Sequence, residues 1–102
     1  MNKRKYQEYL RTPHWREIRT DKLIKARWVC EECKRGEYGI QLDVHHLTYD
    51  RIGNERMSDL KVLCHDCHEK VHENGFVPKK TMSDKEIENE IEKIEREIRE
   101  AR

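Results

Sequence analysis

The chain has 102 residues, of which 34% are hydrophobic and 42% are charged, and its net charge is +1 at pH 7. This length fits one small domain with a modest apolar core, which a metal ion or disulfides would need to supplement. No apolar run follows the basic start of the chain, and no segment is apolar over a bilayer thickness. We therefore expect neither a secretory signal nor a transmembrane helix, and a cytoplasmic location.

The charges are distributed unevenly along the chain. Residues 1–35 carry 11 Lys/Arg against 5 Asp/Glu, whereas residues 83–102 carry 5 against 8. A basic third that also contains Tyr and Trp residues suits a polyanion such as DNA. Its candidate DNA contacts are Lys3, Arg4 and Lys5. The alternative is a solvated helical face, and charge alone favours neither interpretation.

Two helices are predicted at the N-terminus. Tyr6 to Leu10 forms a short helical turn, and Thr12-Pro13 is a start signal for a helix that runs to about Ala26. The segment from Cys30 to Gly36 then resembles a zinc-knuckle turn. Apolar residues alternate with polar ones from residue 40 to residue 46, which predicts a half-buried strand.

The second half of the chain predicts a strand and two helices. A polar loop from Tyr49 to Ser58 leads to a short strand at residues 60–63. A helix should run from about His65 to Asn74, where Gly75 is a natural stop. Ser83-x2-Glu86 is a capping box for a final helix. We assign residues 1–78 to one domain and residues 79–102 to an amphipathic C-terminal helix.

The last helix carries a narrow apolar seam. Its members are spaced 4, 3 and 4 residues apart: Ile87, Ile91, Ile94 and Ile98. This spacing suits a helix that packs back on its own domain, and it also suits a short coiled coil that joins two chains as a homodimer. Two heptads are marginal alone, so the spacing leaves both arrangements open.

Four cysteines occur as two CxxC pairs, Cys30/Cys33 and Cys64/Cys67. A two-residue gap lets both sulfurs of a pair reach one ion from a tight turn, and two pairs complete a tetrahedron. In a reducing compartment this pattern predicts a closed, structural zinc site rather than disulfides. Redox-active thiols are the main alternative.

Histidines supply a second set of ligands. His68 and His72 are four residues apart on one predicted helix, so they share a face and can bind one metal. The adjacent pair His45 and His46 at the end of a strand points to opposite sides. One of the two can complete the metal site while the other remains free to accept a proton. Phosphodiester hydrolysis needs both a Lewis acid and such a base.

At this point the sequence resembles the HNH endonuclease family. The resemblance lies in residues 43–47, in Ser58-Asp59-Leu60-Lys61-Val62-Leu63, in Cys64-His65-Asp66-Cys67-His68-x3-His72, and in Tyr9-Leu10-x4-Trp15-x3-Arg19. It implies a small α+β fold with a treble-clef-like ββα-metal core stapled by zinc, an N-terminal helix and a long C-terminal helix. It also implies a metal-dependent DNA endonuclease like those of phages and bacteria.

The resemblance assigns a role to each ligand and catalytic residue. His46 would be the general base, and His45, His68 and His72 would bind the catalytic divalent metal (Mg²⁺, Mn²⁺, Ni²⁺ or Zn²⁺). The four cysteines would hold structural Zn²⁺. The products would carry 5′-phosphate and 3′-hydroxyl ends.

One position departs from the family pattern, because Asp59 stands where the family has asparagine. Aspartate accepts hydrogen bonds but cannot donate them as the amide does. Asp59 is therefore a candidate site residue that could brace the loop, join the metal or raise the basicity of His46.

Arg51 and Arg56 flank the loop and are candidate phosphate contacts, or surface arginines without a fixed partner.

A non-catalytic zinc module that binds nucleic acid or protein, for example as an accessory to phage DNA packaging, is the alternative to the enzyme. It would hold a single zinc and its histidines would be dispensable. The endonuclease and the zinc module therefore differ in whether the histidines have a catalytic role.

Overall fold

A computed structural model describes residues 3–78 and 81–100, with Lys3, Arg99 and Glu100 by backbone alone. The elements in chain order are α1 (Lys3–Leu10), α2 (Pro13–Lys25), β1 (Leu42–His46), a 3₁₀ turn (Met57–Asp59), β2 (Leu60–Cys64), α3 (His65–Glu73) and α4 (Asp84–Glu100). The strands form an antiparallel two-stranded sheet. The fold is thus a small α+β arrangement, as predicted. None of the described helices is long and apolar enough to cross a membrane.

Local signals placed α2 correctly. The Thr12 hydroxyl accepts a hydrogen bond from the Trp15 amide at 3.1 Å, and Pro13 occupies the first turn, where no N–H is needed. The helix ends at Lys25, with Ala26 as its C-cap. Trp15 and Leu23 are buried on the inner face of α2, together with the Lys22 side chain.

The first strand is shorter than predicted. It begins at Leu42 instead of Ile40, because Leu42 pairs with Cys64, the last residue of β2. Ile40 has no partner across the sheet and instead turns back, its amide donating to the Glu37 carbonyl at 3.0 Å. Pairing of His46 with Leu60 closes the other end of the ladder.

The helices enclose the sheet from two sides and share one main core. Its buried residues come from α1, α2, the loop, β2 and α4: Tyr9, Trp15, Ile52, Leu60, Ile87, Ile91 and Ile94. A second, smaller core surrounds the cysteines and includes Leu63. The histidine-bearing strand β1 therefore lies between helices on both sides.

The apolar seam of α4 packs back on its own chain. Ile87 and Ile91 are fully buried and Ile94 is nearly so. Ile94 lies directly over Gly53, where a Cβ would come within 2.4 Å of its Cδ1 atom, and Gly53 has a φ of +89° that favours glycine. A homodimer through this seam would require α4 to leave the core, and it stays a prediction. The boundary predicted after residue 78 adjoins residues 79 and 80, which lie outside the described residues.

We predict that Ile91→Ala destabilises the chain by roughly 2–5 kcal/mol, because it removes a fully buried side chain from the main core. Urea unfolding measures this loss, and Lys93→Ala, at an exposed position of the same helix, is the matched control. Because the seam is intramolecular, the unfolding midpoint should not depend on protein concentration. A midpoint that rises with concentration would favour the dimer instead.

Candidate active site

The four cysteines meet in one cluster. Cys30 and Cys33 lie in the turn after α2, Cys64 ends β2, and Cys67 lies in the first turn of α3. Their sulfur atoms all lie within 4.8 Å of one another, and Cys33 and Cys64 are 3.6 Å apart. The cluster therefore ties the turn after α2 to the junction of sheet and helix.

A tight turn holds the first cysteine pair. The Cys30 amide donates to the Arg35 carbonyl at 2.8 Å, and the Lys34 amide donates to the Cys30 carbonyl at 2.9 Å. The Cys33 amide lies 3.4 Å from the Cys30 sulfur, to which it donates. Lys34 has a φ of +68°, which closes the turn. Amides directed at sulfur are suited to a thiolate.

The chemistry of the cluster fits a bound cation. Burial opposes ionisation of Cys30, but backbone hydrogen bonds from Cys33, Cys64 and Glu32 lower the pKa of its thiol to about 6. Hydrogen bonding with Cys64, followed by burial, raises the pKa of Cys67 to about 12. Four thiolates this close repel one another unless a divalent ion lies among them, and zinc is suited to four sulfur ligands. The cluster can therefore hold a structural zinc.

Three histidines form a second cluster. His45 on β1 meets His68 and His72 from successive turns of α3, and the ligand nitrogens lie within 4.8 Å of one another. The Nε2 atoms of His68 and His72 are 3.0 Å apart. The Nε2 atom of His45 is buried and, within the described residues, has no hydrogen-bond partner. A buried nitrogen without a partner is costly, and a metal ion at this place would satisfy it.

Burial and a carboxylate prepare these histidines as ligands. Burial, with the neighbouring His68 and His72, lowers the pKa of His45 to about 4, so its ring is neutral near pH 7. The Asp43 carboxylate accepts a hydrogen bond from His68 Nδ1 at 3.1 Å. That bond leaves Nε2, which faces His72 Nε2, as the atom of His68 that can bind a metal, as in many carboxylate-supported metal sites. The cluster thus fits a divalent metal.

His46 faces the other side of β1. Its ring stacks on Trp15, with centroids 4.6 Å apart and an interplanar angle of 26°. Its Nε2 atom lies 2.8 Å from a Glu55 carboxylate oxygen, and its Nδ1 atom lies 2.9 Å from the Tyr6 hydroxyl. Both ring nitrogens of this buried histidine are therefore engaged.

The neighbours of His46 define its tautomer. Burial raises the pKa of Tyr6 well above its usual range, so its hydroxyl keeps the proton. The Glu55 carboxylate beside Nε2 can only accept a hydrogen bond. The proton of the neutral ring then resides on Nε2 and is donated to Glu55. The side chains of His46 and Glu55 are each only 1% exposed, so water does not compete for this bond. The lone pair of His46 is directed at the Tyr6 side.

Glu55 is the centre of a buried network. One of its oxygens accepts from the Gly53 amide at 2.8 Å, and Tyr9 donates to both oxygens at 2.7 and 2.8 Å. The other oxygen accepts from His46. These donors satisfy a carboxylate that would otherwise be costly to bury.

Asp59 braces the loop and lies outside both ligand clusters. Its carboxylate accepts two hydrogen bonds from the Arg51 guanidinium, one of them 2.7 Å long at Nε. It also accepts from the Arg56 amide at 2.9 Å. These contacts correspond to bracing of the loop, one of the three roles that the sequence leaves open for Asp59. The same bonds occupy Arg51, whereas the Arg56 side chain is exposed.

The basic residues predicted to contact DNA differ in their surroundings. Lys5 pairs with Glu8 and, at 3.3 Å, with Glu92 of α4. Arg4 is exposed and lies 3.4 Å from Glu8. The Lys3 side chain lies outside the described residues. Each described basic side chain of α1 is therefore already close to a carboxylate.

One cavity joins both histidine sites. It has a volume of about 590 Å³. The residues that line it include the cluster of three histidines, His46 and Arg19, together with Tyr6 and Trp15. His65, which the resemblance left without a role, is exposed, pairs with Glu69 at 3.0 Å and lies at the cavity wall. The cavity thus brings His46 and the cluster of His45, His68 and His72 to one space.

Sequence reasoning missed three residues of this site. Glu55 lies in a polar loop, and no short-range pattern shows that its side chain is buried. The sequence places Tyr6 only in a short helical turn, whereas its hydroxyl reaches His46 across 40 residues of chain. Asp43 carried a usable signal, because it lies two residues before His45 on the strand and therefore on the same face.

Comparison with known proteins gives one similarity. The chain is 34% identical over 79 residues to the Zorya protein ZorE of Escherichia coli, and the match covers 69% of this chain. The chain spans about a fifth of the length of that protein, since the match covers 20% of it. No protein-family model matches the chain. No solved structure matches it either.

We predict that the chain carries about one zinc ion, bound by the cysteine cluster, and that Cys64→Ser loses it together with much of the folded structure. Elemental analysis and circular dichroism measure the two effects. His72→Ala is the matched control, since it removes a ligand from the other cluster and should retain the cysteine-bound zinc. Full zinc content in the Cys64→Ser protein would contradict this assignment.

Proposed function

We propose that the chain is a metal-dependent DNA endonuclease of the HNH type. The observation that carries the proposal is the position of His46, a histidine outside the ligand set that shares one cavity with a cluster of three histidines. A site that only binds a metal does not need a further histidine beside its ligands. Hydrolysis of a phosphodiester needs both parts, a cation near the phosphate and a base for the water.

The arrangement of elements supports a ββα-metal core. Strands β1 and β2 are antiparallel, and α3 begins directly after β2. One ligand comes from β1 and two come from α3, so the sheet and the helix together form the histidine cluster. The cysteine cluster at the β2–α3 junction would fix the helix that carries His68 and His72.

A divalent cation held by His45, His68 and His72 would supply Lewis-acid chemistry to the phosphodiester and its leaving oxygen. The protein's own contribution begins at His46 Nδ1, which accepts a proton from the attacking water. Water oxygen then bonds to phosphorus as the bond from phosphorus to the 3′ oxygen breaks, and solvent supplies the proton for that oxygen.

Glu55 would position this base. It accepts the proton on His46 Nε2 as a hydrogen bond, keeps the lone pair on Nδ1, and favours the positive charge that develops on the ring. The Tyr6 hydroxyl occupies Nδ1 in this structure and lines the cavity. We propose that the attacking water takes the place of this hydroxyl when DNA is bound.

A non-catalytic zinc module has less support from these contacts. Such a module would need the cysteine cluster, but it would give no reason for a buried, unpartnered His45 nitrogen beside two further imidazoles. It would also not require a carboxylate that fixes the tautomer of His46. The nuclease proposal accounts for both.

We predict that the purified chain nicks or cuts plasmid DNA with Mg²⁺, Mn²⁺ or Ni²⁺, and that His46→Ala lowers the rate at least about 10²-fold because the base is lost. Gel assays of plasmid conversion measure the rate. His68→Ala should be similarly impaired, whereas Lys70→Ala, on an exposed part of α3, should cleave like wild type. Bound zinc in each variant shows that the fold is kept.

Two outcomes would end the enzyme proposal. One is a wild-type protein that cleaves no DNA with any of the three metals. The other is a zinc-loaded His46→Ala protein that cleaves as fast as wild type.

We predict that Glu55→Gln lowers the cleavage rate by about 10²- to 10⁴-fold, as expected when a histidine base is held in the wrong tautomer. The Gly53 amide fixes the amide oxygen of the new side chain on its own side. The NH₂ group then faces His46 Nε2 and donates to it, so the ring proton moves to Nδ1. Long-range ¹H–¹⁵N NMR spectra of the ring measure the proton position. An unchanged tautomer and an unchanged rate would contradict the role of Glu55.

A further inference from the structure

We infer that Arg19 is the phosphate-binding residue of the cavity and that its ligand is the non-bridging oxygens of a phosphodiester. This inference rests on the proposed nuclease function and names a contact for its substrate. Arg19 lies on α2, opposite the strand that carries the two adjacent histidines.

Arg19 is the cation that the cavity presents. Among the described residues that line the cavity, it is the only lysine or arginine. Four residues predicted from sequence as DNA contacts do not line it, namely Arg4, Lys5, Arg51 and Arg56, and Arg51 is held by Asp59. A phosphodiester that enters the cavity therefore meets one permanent positive charge.

The guanidinium of Arg19 keeps most of its donors for a ligand. Within the described residues it donates to the Leu42 carbonyl, which lies at a long 3.3 Å from Nη2. No carboxylate among them pairs with it, although Asp43 lines the same cavity and is engaged with His68. A half-buried arginine without a carboxylate partner is unusual, because its charge is only partly solvated.

The geometry of this side chain suits a phosphate. Arginine presents its N–H groups as a planar fork that matches two phosphate oxygens. The bond to the first residue of β1 directs one edge of the fork toward the sheet and so limits its orientation. Arg19 would thus hold a phosphodiester between itself and the histidines of β1.

The test compares Arg19→Ala with Arg16→Ala, an exposed arginine one turn earlier on α2. The zinc-loaded full chain is titrated with thymidylyl-thymidine and with its uncharged methylphosphonate analogue, and binding is measured by NMR. Wild type should prefer the charged dinucleotide by roughly 10- to 100-fold, the range expected for a charge-assisted contact. Arg19→Ala should lose this preference, and Arg16→Ala should keep it.

The second part of the test measures the kinetics of bis(p-nitrophenyl) phosphate cleavage. Arg19→Ala should lower kcat/KM by roughly 10- to 100-fold, and Arg19→Lys should recover part of the loss because it restores charge without the fork. Arg16→Ala should stay within about twofold of wild type, as expected of a surface change. If Arg19→Ala does not fold, judged by its zinc content, the charged-dinucleotide preference of Arg19→Lys and Arg19→Gln decides in its place.

The two proposals fail in different ways. If wild type cleaves nothing but prefers the charged dinucleotide through Arg19, the phosphate site stands and the nuclease proposal falls. If wild type cleaves and a folded Arg19→Ala protein keeps both its rate and its preference for the charged dinucleotide, the Arg19 inference is overturned.

Discussion

The alternation of side chains along β1 is the constraint on which the site depends. Successive residues of a strand face opposite sides, so the rings of His45 and His46 have different contact partners although both line one cavity. His45 faces α3 and the histidine cluster, whereas His46 stacks on Trp15 of α2. Pairing with β2 fixes the register, and a slip of one residue would exchange the two histidines. The separation of ligand from proposed base is thus a property of the backbone.

Burial of the Glu55 carboxylate connects this strand to the rest of the core. The carboxylate is tolerable there because Tyr9, Gly53 and His46 all donate to it. Those donors come from α1, the loop and β1, so the network requires all three to be in place. Ile94 of α4 in turn covers Gly53. The C-terminal helix therefore supports the loop from which the carboxylate reaches His46, and the stability of the core and the geometry of the proposed base are coupled.

Features fixed by short spacing could be predicted from the sequence, and features fixed by long-range burial could not. The cap at Thr12, the CxxC pairs and the i, i+4 histidines are local patterns, and the structure brings the residues of each pattern together. The burial of Glu55 and its bond to His46 depend on how a polar loop folds over α1, which no periodicity encodes. Asp59 was predictable only in part. The resemblance singled it out, and only the structure shows that its partners are Arg51 and the backbone of residue 56.

The acidic helix α4 changes what the basic N-terminal region can do. Hydrogen bonding to Glu92 raises the pKa of Lys5, so this lysine is held as a cation beside a carboxylate rather than presented alone. Each phosphate contact releases counterions, and the salt dependence of DNA binding reflects how many such contacts form. The described basic side chains of α1, which already lie close to carboxylates, would contribute few of them. Under the proposed nuclease function, Arg19 at the cavity would therefore contribute more to DNA affinity than the basic side chains of α1.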